Sequence, residues 1–264
     1  MHRLQCRLAP YVWLVTGWAV LAFSNAGCVS EAEHLAATGN LLFRQGSVAG
    51  ALAAFRKAAA IGRPEEGGYL RLGNALFRAQ RFAEAQGAYT RARSLAKNPC
   101  DAELPLAQLM GQQGRLAEAE ATLFSCLTRT PDHPDARLAL GLIRLDRGDL
   151  VSAGAAFDAA LQRNPRHPAA LYARGRLALH QGQLAAADDF FVRLAQTNPR
   201  KPYGTYGRGI VASRRRAYDT ACTHLRCAQA LGLSGSAWEH LRSDRQLVNA
   251  SSLECLRHPL GEGG

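Results

Sequence analysis

The sequence predicts an all-α protein, built as a solenoid of six helix-turn-helix repeats. Three observations predict it: a composition poor in aromatic residues, a constant internal repeat, and prolines at repeat boundaries. Hydrophobic residues make up 47% of the 264 residues, but aromatic residues only 7%. This composition favours close-packed helices over sheets, which are rich in β-branched and aromatic residues.

The chain begins with a segment typical of a signal peptide, which we place at residues 1–27. Arg3 and Arg7 precede an apolar run from Tyr11 to Phe23. A membrane-spanning helix needs roughly 20 apolar residues, so this run is too short to span a bilayer. We therefore expect the protein to be exported.

The end of this segment resembles a bacterial lipobox, in which a cysteine is acylated and becomes the first residue. Ala26-Gly27-Cys28 matches that pattern, although Asn25 stands where lipoboxes usually have an aliphatic residue. The resemblance implies lipidation of Cys28, followed by a linker to residue 31. Two alternatives stay open: ordinary cleavage after Ala26, which gives a soluble periplasmic protein, and an uncleaved anchor.

Charge and compartment together narrow the expected partners. The formal net charge is +11, and losing Arg3 and Arg7 with the signal peptide leaves +9. A positive net charge of this size favours acidic proteins, anionic lipid headgroups or nucleic acid as partners. Because Val29 rather than Asp follows Cys28, the lipobox resemblance implies an outer-membrane lipoprotein facing the periplasm. We therefore expect protein and membrane partners, and no nucleic acid.

Along most of the chain, residues of the same type recur about every 34 positions. A small residue recurs at Gly39, Gly73, Ala107, Gly141, Gly175 and Gly209. In the second half of each repeat stands an alanine, at Ala51, Ala85, Ala119, Ala153, Ala187 and Ala221. One helical turn further comes a large apolar residue, at Phe55, Tyr89, Leu123, Phe157, Phe191 and Leu225. Repeats three to five close with a residue that cannot continue a helix, at Pro131, Pro165 and Pro199.

This pattern resembles the tetratricopeptide repeat. The resemblance implies a right-handed superhelix of antiparallel helix pairs over residues 32–235. The implied repeats are about 32–65, 66–99, 100–133, 134–167, 168–201 and 202–235. Stacked arrays need a polar-faced cap over their last apolar surface, which we place at residues 236–258, before a disordered tail at 259–264.

The turn inside each repeat has its own signature. A glycine follows the small residue by seven positions in four repeats, at Gly46, Gly114, Gly148 and Gly182, where a positive φ is useful. Gln80 and Arg216 stand there in the second and sixth repeats. We expect those two turns to differ from the others.

In the family that the chain resembles, the first helix of each repeat lines a concave groove that binds peptides or partner proteins. The implied groove residues are Asn40, Arg44, Asn74, Arg78, Gln108, Gln112, Asp146, Tyr172, Arg176, His180, Tyr203, Tyr206 and Arg214. This basic, amide-rich set with its tyrosines favours an acidic or extended peptide, because Arg and Tyr combine contact area with directed hydrogen bonds. The alternative is that these helix positions are polar only because they face solvent.

The cysteines predict disulfides in an oxidising compartment. Cys100 opens the first helix of the third repeat and Cys126 lies near the end of its second helix, so an antiparallel pair brings them within bridging distance. Cys222 or Cys227 could similarly reach Cys255 in the cap, which would leave one of the two unpaired. Cys126 also fits as a small core residue without a bridge.

No chemistry beyond binding is expected. Cys222-x-His224-x-x-Cys227 resembles a metal motif only superficially, because residues two apart on a helix face nearly opposite ways. No nucleophile motif or phosphate-binding glycine loop occurs in the sequence. The repeats leave no room for a catalytic domain. We expect no cofactor, no metal, no small-molecule substrate and no catalytic residue.

The sequence therefore predicts a non-catalytic adaptor or scaffold that binds proteins at the cell envelope. By size, anchor and repeats it resembles the assembly lipoprotein of Tad (Flp) pili and the pilotin of type IV pili, which implies a role in pilus or secretion-system assembly. Two alternatives stay open: a periplasmic scaffold for cell-wall enzymes, and a substrate-recruiting subunit of a separate enzyme.

Overall fold

The computed structural model describes residues 31–60 and 66–233, which form twelve α-helices and no strand. The helices are α1 (Glu31–Arg44), α2 (Val48–Ala60), α3 (Glu66–Arg78), α4 (Phe82–Leu95), α5 (Cys100–Gln112), α6 (Leu116–Arg129), α7 (Pro134–Asp146), α8 (Leu150–Arg163), α9 (Pro168–His180), α10 (Leu184–Thr197), α11 (Tyr203–Arg214) and α12 (Tyr218–Ala230). The predicted all-α repeat fold is confirmed over these residues. The predicted signal peptide, the lipid anchor at Cys28, the capping helix and the tail lie outside them.

The helices form two layers. The odd-numbered helix of each pair contacts the odd-numbered helices of the neighbouring repeats, as α5 does with α7 and α9 with α11. The even-numbered helices pack mainly against the helices just before and after them along the chain. The odd-numbered helices therefore form the inner, concave layer. Within the described part of the chain, no helix is long and apolar enough to cross a membrane.

A small residue facing a large one sets the distance between the helices of a pair. Gly39 lies against Phe55, and Gly175 against Phe191. A Cβ atom added to either glycine would lie 2.9 Å from the facing ring, closer than real Cβ contacts. Both rings are almost fully buried. The small position of the repeat is thus a packing position rather than a candidate for binding.

Every turn inside a repeat has a residue with positive φ at the same position. The expectation that the turns at Gln80 and Arg216 differ from the others is therefore wrong. Gln80 and Arg216 have φ values of 59° and 62°, close to the 81° of Gly148. Arg81 N–H donates to the Leu76 carbonyl at 2.9 Å, which matches the corresponding bond after Gly148. Packing of the helix pair and these hydrogen bonds hold Gln80 and Arg216 in a conformation that their own side chains disfavour.

The third repeat is cross-linked beneath its concave face. A disulfide joins Cys100 of α5 to Cys126 of α6, with their Cα atoms 4.8 Å apart. One turn along α5, the buried carboxylate of Glu103 pairs with Arg129 at the end of α6. Both contacts join the beginning of one helix to the end of the other. They hold α5 in place where it forms part of the groove.

Candidate partner-binding groove

Every predicted groove residue lies on the first helix of its repeat. Three cavities lie along the concave layer, and we name them by their linings. Each is open to solvent on one side, as a peptide groove must be. The predicted residues divide unevenly among these cavities.

The basic pocket is a cavity of about 230 Å³ between α1 and α3. It is lined by Asn40, Phe43, Arg44, Phe55, Arg71, Asn74, Ala75 and Arg78. The Arg78 guanidinium lies 5.6 Å from the centre of the Phe43 ring, which restricts where it points. Among the described residues no acidic side chain lines this pocket, and three guanidinium groups face one opening. The lining suits carboxylate groups, which arginine binds with two parallel hydrogen bonds.

A buried tyrosine orients the amide of Asn74. Tyr89 is 1% exposed, and its hydroxyl donates to Asn74 Oδ1 at 2.8 Å. Burial raises the pKa of Tyr89 to about 12, against an opposing effect of Arg78, so the hydroxyl stays a donor at neutral pH. Because the amide oxygen is occupied, the NH₂ group of Asn74 is left to donate into the groove. It is well placed for a peptide carbonyl.

The central cavity is larger, about 610 Å³, and lies across α3, α5 and α7. It is lined by Leu70, Asn74, Asp101, Leu104, Pro105, Gln108, Gly111, Gln112, Asp135, Leu138, Ala139, Leu142, Ile143 and Asp146. Its floor is apolar, and Leu142 is 43% exposed there. Its charged groups are all acidic. The lining therefore differs from the basic character expected from the sequence for the groove as a whole.

Two of these aspartates belong to a repeated helix cap. His167 precedes α9, and its Nδ1 atom accepts the Ala170 N–H at 3.3 Å. A ring that accepts at Nδ1 carries its proton on Nε2, and this atom donates to Asp135 at 2.8 Å. His133 caps α7 in the same way, with its Nε2 atom 3.7 Å from Asp101. The cap fixes the side of the cavity on which each carboxylate lies.

The tyrosine pocket lies between the beginnings of α9 and α11 and the end of α10, and has a volume of about 400 Å³. It is lined by Pro168, Ala169, Tyr172, Leu194, Asn198, Lys201, Tyr203 and Gly204. The Tyr172 and Tyr203 rings meet edge to face with centroids 5.9 Å apart, and Arg176 lies 5.8 Å from the Tyr172 ring. This arrangement can enclose one large apolar or aromatic side chain.

Four predicted groove residues line none of these cavities. Arg176 reaches the tyrosine pocket only through its contact with the Tyr172 ring. Tyr206 packs against the small core cluster of the last repeat. His180 and Arg214 are exposed in the last turns of α9 and α11.

The neighbouring Arg215 belongs to a contact between repeats. Its guanidinium donates to Asp188 and to the Leu184 carbonyl, both on α10. This side chain is therefore not available to a partner, although it stands in the basic run Arg214-Arg215-Arg216.

The two described cysteines of the last repeat differ in state. Cys222 is disulfide-bonded, and the predicted partner Cys255 lies outside the described residues. Cys227 is exposed and free. Burial, and after it the charge of Arg208, lowers the pKa of His224. Among the described residues, no group of three or more His, Cys, Asp and Glu side chains is arranged to hold a metal ion.

The sequence prediction missed part of the lining for an identifiable reason. It took mainly the ninth and thirteenth residues of each repeat, where Asn74 and Arg78 stand. The second and fifth residues lie on the same face of the first helix, since about 3.6 residues make one turn. In the third repeat these are Asp101 and Leu104, which both line the central cavity. Counting one full helix face per repeat would have found them.

Comparison with known proteins supports the repeat assignment. One model described as "Tetratricopeptide repeat" matches residues 13–66 and 104–166, and a second with the same description matches residues 144–204. Together the matches cover more than half of the chain. No curated protein sequence matches the chain.

Solved structures share the fold at low sequence identity. Yeast Tom70 superimposes with a TM-score of 0.70 at 15% identity, covering 83% of this chain and 50% of Tom70, so this chain spans about half of Tom70. PilF of Pseudomonas aeruginosa gives 0.60 at 16% identity, covering 81% of this chain and 98% of PilF. PilW, described as a type IV pilus biogenesis factor, gives 0.59 at 17% identity, covering 88% of this chain and all of PilW. From its repeat pattern, its helix pairs and these matches, the chain belongs to the tetratricopeptide repeat family.

Proposed function

We propose that this protein is a non-catalytic adaptor that binds extended segments of partner proteins in its concave groove, at the bacterial cell envelope. One observation carries the proposal: the cavities that line the first helices of successive repeats together offer guanidinium, amide, carboxylate, apolar and aromatic groups. Proteins built from tetratricopeptide repeats are protein-interaction scaffolds. A groove with this variety of groups suits a polypeptide better than a small molecule.

Binding would use a surface that exists before the partner arrives. The Arg78 guanidinium lies over Phe43, and Tyr89 holds the Asn74 amide, so these two side chains have less freedom to lose on binding. Ordering a long side chain on binding costs about 0.5–1.5 kcal/mol. A groove whose side chains are already held avoids part of this cost. The expected mechanism is reversible capture without a change of fold.

The envelope location rests on two features. Ala26-Gly27-Cys28 resembles a lipobox, which would anchor the protein in the outer membrane with its repeats in the periplasm. The Cys100–Cys126 disulfide fits the same compartment, since disulfides persist mainly in oxidising environments. The finer part of the proposal is a role in pilus or secretion-system assembly. In its support, PilW is described as a type IV pilus biogenesis factor and matches this fold over its whole length.

Site-specific photo-crosslinking in living cells tests the binding proposal. A photoreactive amino acid at Gln108 lies in the central cavity, while one at Ala121 lies on the exposed face of α6. We expect defined protein adducts from the first position and few from the second. Adducts that are equal at both positions, or absent at the first, would contradict groove binding.

A charge variant then tests which groups take part. Replacing Arg44, Arg78 and Arg176 together with glutamine should weaken partner capture without changing the helical content or the thermal midpoint. The matched control removes three charges from Arg91, Arg93 and Arg226, which are exposed on second helices. If both triple variants lose capture equally, net charge rather than the groove is responsible.

The location is tested separately. We expect labelled lipid to be incorporated into the wild-type protein, and the protein to sediment with outer membranes. Cys28→Ser should lose both properties. A mature protein that begins at Gly27 and stays soluble would contradict the anchor and leave a free periplasmic adaptor.

A further inference from the structure

The groove changes charge along its length, at a point marked by one residue. Asn74 lines both the basic pocket and the central cavity, so the two are adjoining parts of one surface. On one side of it, Arg44, Arg71 and Arg78 face the opening. On the other side, every charged group of the lining is an aspartate.

Among the described residues, no arginine or lysine forms an ion pair with an aspartate of the central cavity. Asp101 and Asp135 each face the Nε2 atom of a histidine whose Nδ1 atom accepts a backbone N–H. Their carboxylates are 62% and 56% exposed. Asp146 makes no ion pair among the described residues.

Two arginines on or next to α7 are paired elsewhere. Arg144 and Arg147 of the fourth repeat both pair with Glu120 on α6, the second helix of the third repeat. Arg144 also lies 5.5 Å from the Phe124 ring. Neither arginine lines the central cavity. These two guanidinium groups therefore do not offset the carboxylates that line the central cavity, which remain more than half exposed at Asp101 and Asp135.

The shape of the central cavity restricts the kind of segment that can occupy it. Asp135 and Asp146 lie near opposite ends of α7, about 16 Å apart along the helix axis at 1.5 Å per residue. Between them lies the apolar floor, which includes Leu138 and the exposed Leu142. An occupant that matches this surface has cationic groups toward the rims and apolar groups between them. Lysine and arginine supply both, because their stems are apolar and only their heads are charged.

We propose that the occupant of this groove is an extended segment of mixed charge: acidic residues at the basic pocket, and alternating basic and apolar residues over the central cavity. The inference rests on the proposed function and narrows its partner class from extended segments in general to segments that carry both charges. A purely acidic segment would place its charges against the aspartates, and a purely basic one would meet the arginines. Opposed charges in a groove select against such partners.

Three short, labelled synthetic peptides of equal length test the proposal by fluorescence anisotropy with the purified full-length protein at physiological salt. The bipolar peptide has three glutamates at one end and alternating leucine and lysine at the other. The acidic peptide has glutamate in place of every lysine, and the basic peptide has lysine in place of every glutamate. We expect the bipolar peptide to bind about tenfold more tightly than either, since a few exposed charge pairs contribute up to about 1 kcal/mol each.

A variant with Asp101→Asn, Asp135→Asn and Asp146→Asn identifies the groups responsible. It should bind the bipolar peptide about tenfold more weakly and the acidic peptide more tightly than the wild type does. Asp146→Asn alone is the second variant, because it leaves both histidine caps intact and should show the same trend to a smaller degree. Asp219→Asn, on the second helix of the last repeat, is the matched control and should change neither affinity.

The outcomes separate this inference from the proposed function. If the acidic peptide binds as tightly as the bipolar one, or if the aspartate variants leave both affinities unchanged, the bipolar assignment is wrong while groove binding stands. If none of the peptides binds and the groove also yields no photo-adducts in cells, both are wrong. If none binds although the groove does yield adducts, only the bipolar assignment fails.

Discussion

The basic pocket and the central cavity occupy equivalent places in successive repeats, yet their chemistry is opposite. The ninth and thirteenth residues of the first two repeats are Asn and Arg, at Asn40, Arg44, Asn74 and Arg78. In the third and fourth repeats the same places hold Gln108, Gln112, Leu142 and Asp146. All of these side chains point away from the helix pairs and are exposed. The groove can therefore change along its length without disturbing the packing that defines the repeat.

The two regions also differ beneath the surface. The second repeat packs Tyr89 against Gly73, and the hydroxyl of this tyrosine reaches into the groove to hold Asn74. The third repeat has Leu123 and Ala107 at the equivalent places and a disulfide in addition. One region therefore relies on a buried hydrogen-bond donor, and the other on a covalent link. Substitutions in each region can test this difference, and we order them by decreasing effect.

Removing the disulfide should affect the central cavity more than the basic pocket. Cys100→Ala with Cys126→Ala opens a loop of 26 residues, which should cost about 3 kcal/mol of unfolding free energy. Because repeats contact only their neighbours, hydrogen exchange should rise in α5 and α6 well before α1 and α2. Urea unfolding and exchange mass spectrometry measure both. Cys227→Ala, at an exposed free thiol, is the control; an equal rise in α1 would contradict a local role.

Removing the tyrosine hydroxyl should affect the basic pocket instead. Tyr89→Phe keeps the ring against Gly73 but deletes the donor to Asn74, which should cost about 1 kcal/mol. Without this hydrogen bond the Asn74 amide is no longer held in one orientation, so the bipolar peptide should also bind more weakly. Since the pKa of Tyr89 is about 12, the wild type should show no titration of this hydroxyl near neutral pH. Tyr218→Phe, at the start of α12, is a control that should leave binding unchanged.

The turns of the two regions should respond to glycine in opposite ways. Gln80→Gly relieves a left-handed residue in the second repeat and should stabilise the protein by about 0.5 kcal/mol. Gly148→Gln, in the fourth repeat, should destabilise it by a similar amount, since it recreates the strained residue. Thermal unfolding measures both. If Gln80→Gly destabilises the protein, the side chain of Gln80 makes a stabilising contact that outweighs the cost of its left-handed backbone conformation.

The smallest effect concerns helix caps. Asp149 caps α8 by accepting the Ser152 N–H at 3.0 Å, and hydrogen bonds from Ser152 hold the pKa of this carboxyl below its ordinary value of 3.8. The α4 helix of the second repeat has no such side-chain cap. A lowered pKa in the folded state means that the contribution is present above the ordinary pKa and is lost as the pH falls through the lower folded value.

The thermal midpoint of Asp149→Ala should therefore lie below that of the wild type at neutral pH. The gap should close as the pH falls below the ordinary carboxyl range. Asp149→Asn is the control, because asparagine still caps a helix but does not titrate. A gap that stays constant through the whole acid range would contradict a role for the ionised carboxylate.

Much of this molecule could be predicted from spacing alone, because packing positions repeat. Gly39, Gly175 and their facing rings stand at the same places in their repeats, since each helix pair buries the same kind of contact. The register also places Arg44 and Tyr172 on the groove-lining helices. It could not show that Tyr206 belongs to the core cluster of the last repeat, since half-buried tyrosines suit either place.

The residue pattern by itself indicates that the chain is a stack of paired helices. That the first helix of each pair is the inner one is implied by the family resemblance, and the contacts between odd-numbered helices agree with it. The recurring small, alanine and large apolar residues supply the contacts that each helix pair buries. What the groove offers depends on packing between repeats, because Asp101 of α5 comes to line one cavity with Asp135 and Leu142 of α7 only when α5 and α7 lie side by side. Packing also sets the backbone of Gln80, where the closing hydrogen bonds of the turn outweigh the preference of a single residue. Local propensity is small compared with the free energy of packing two helices, so the packing prevails.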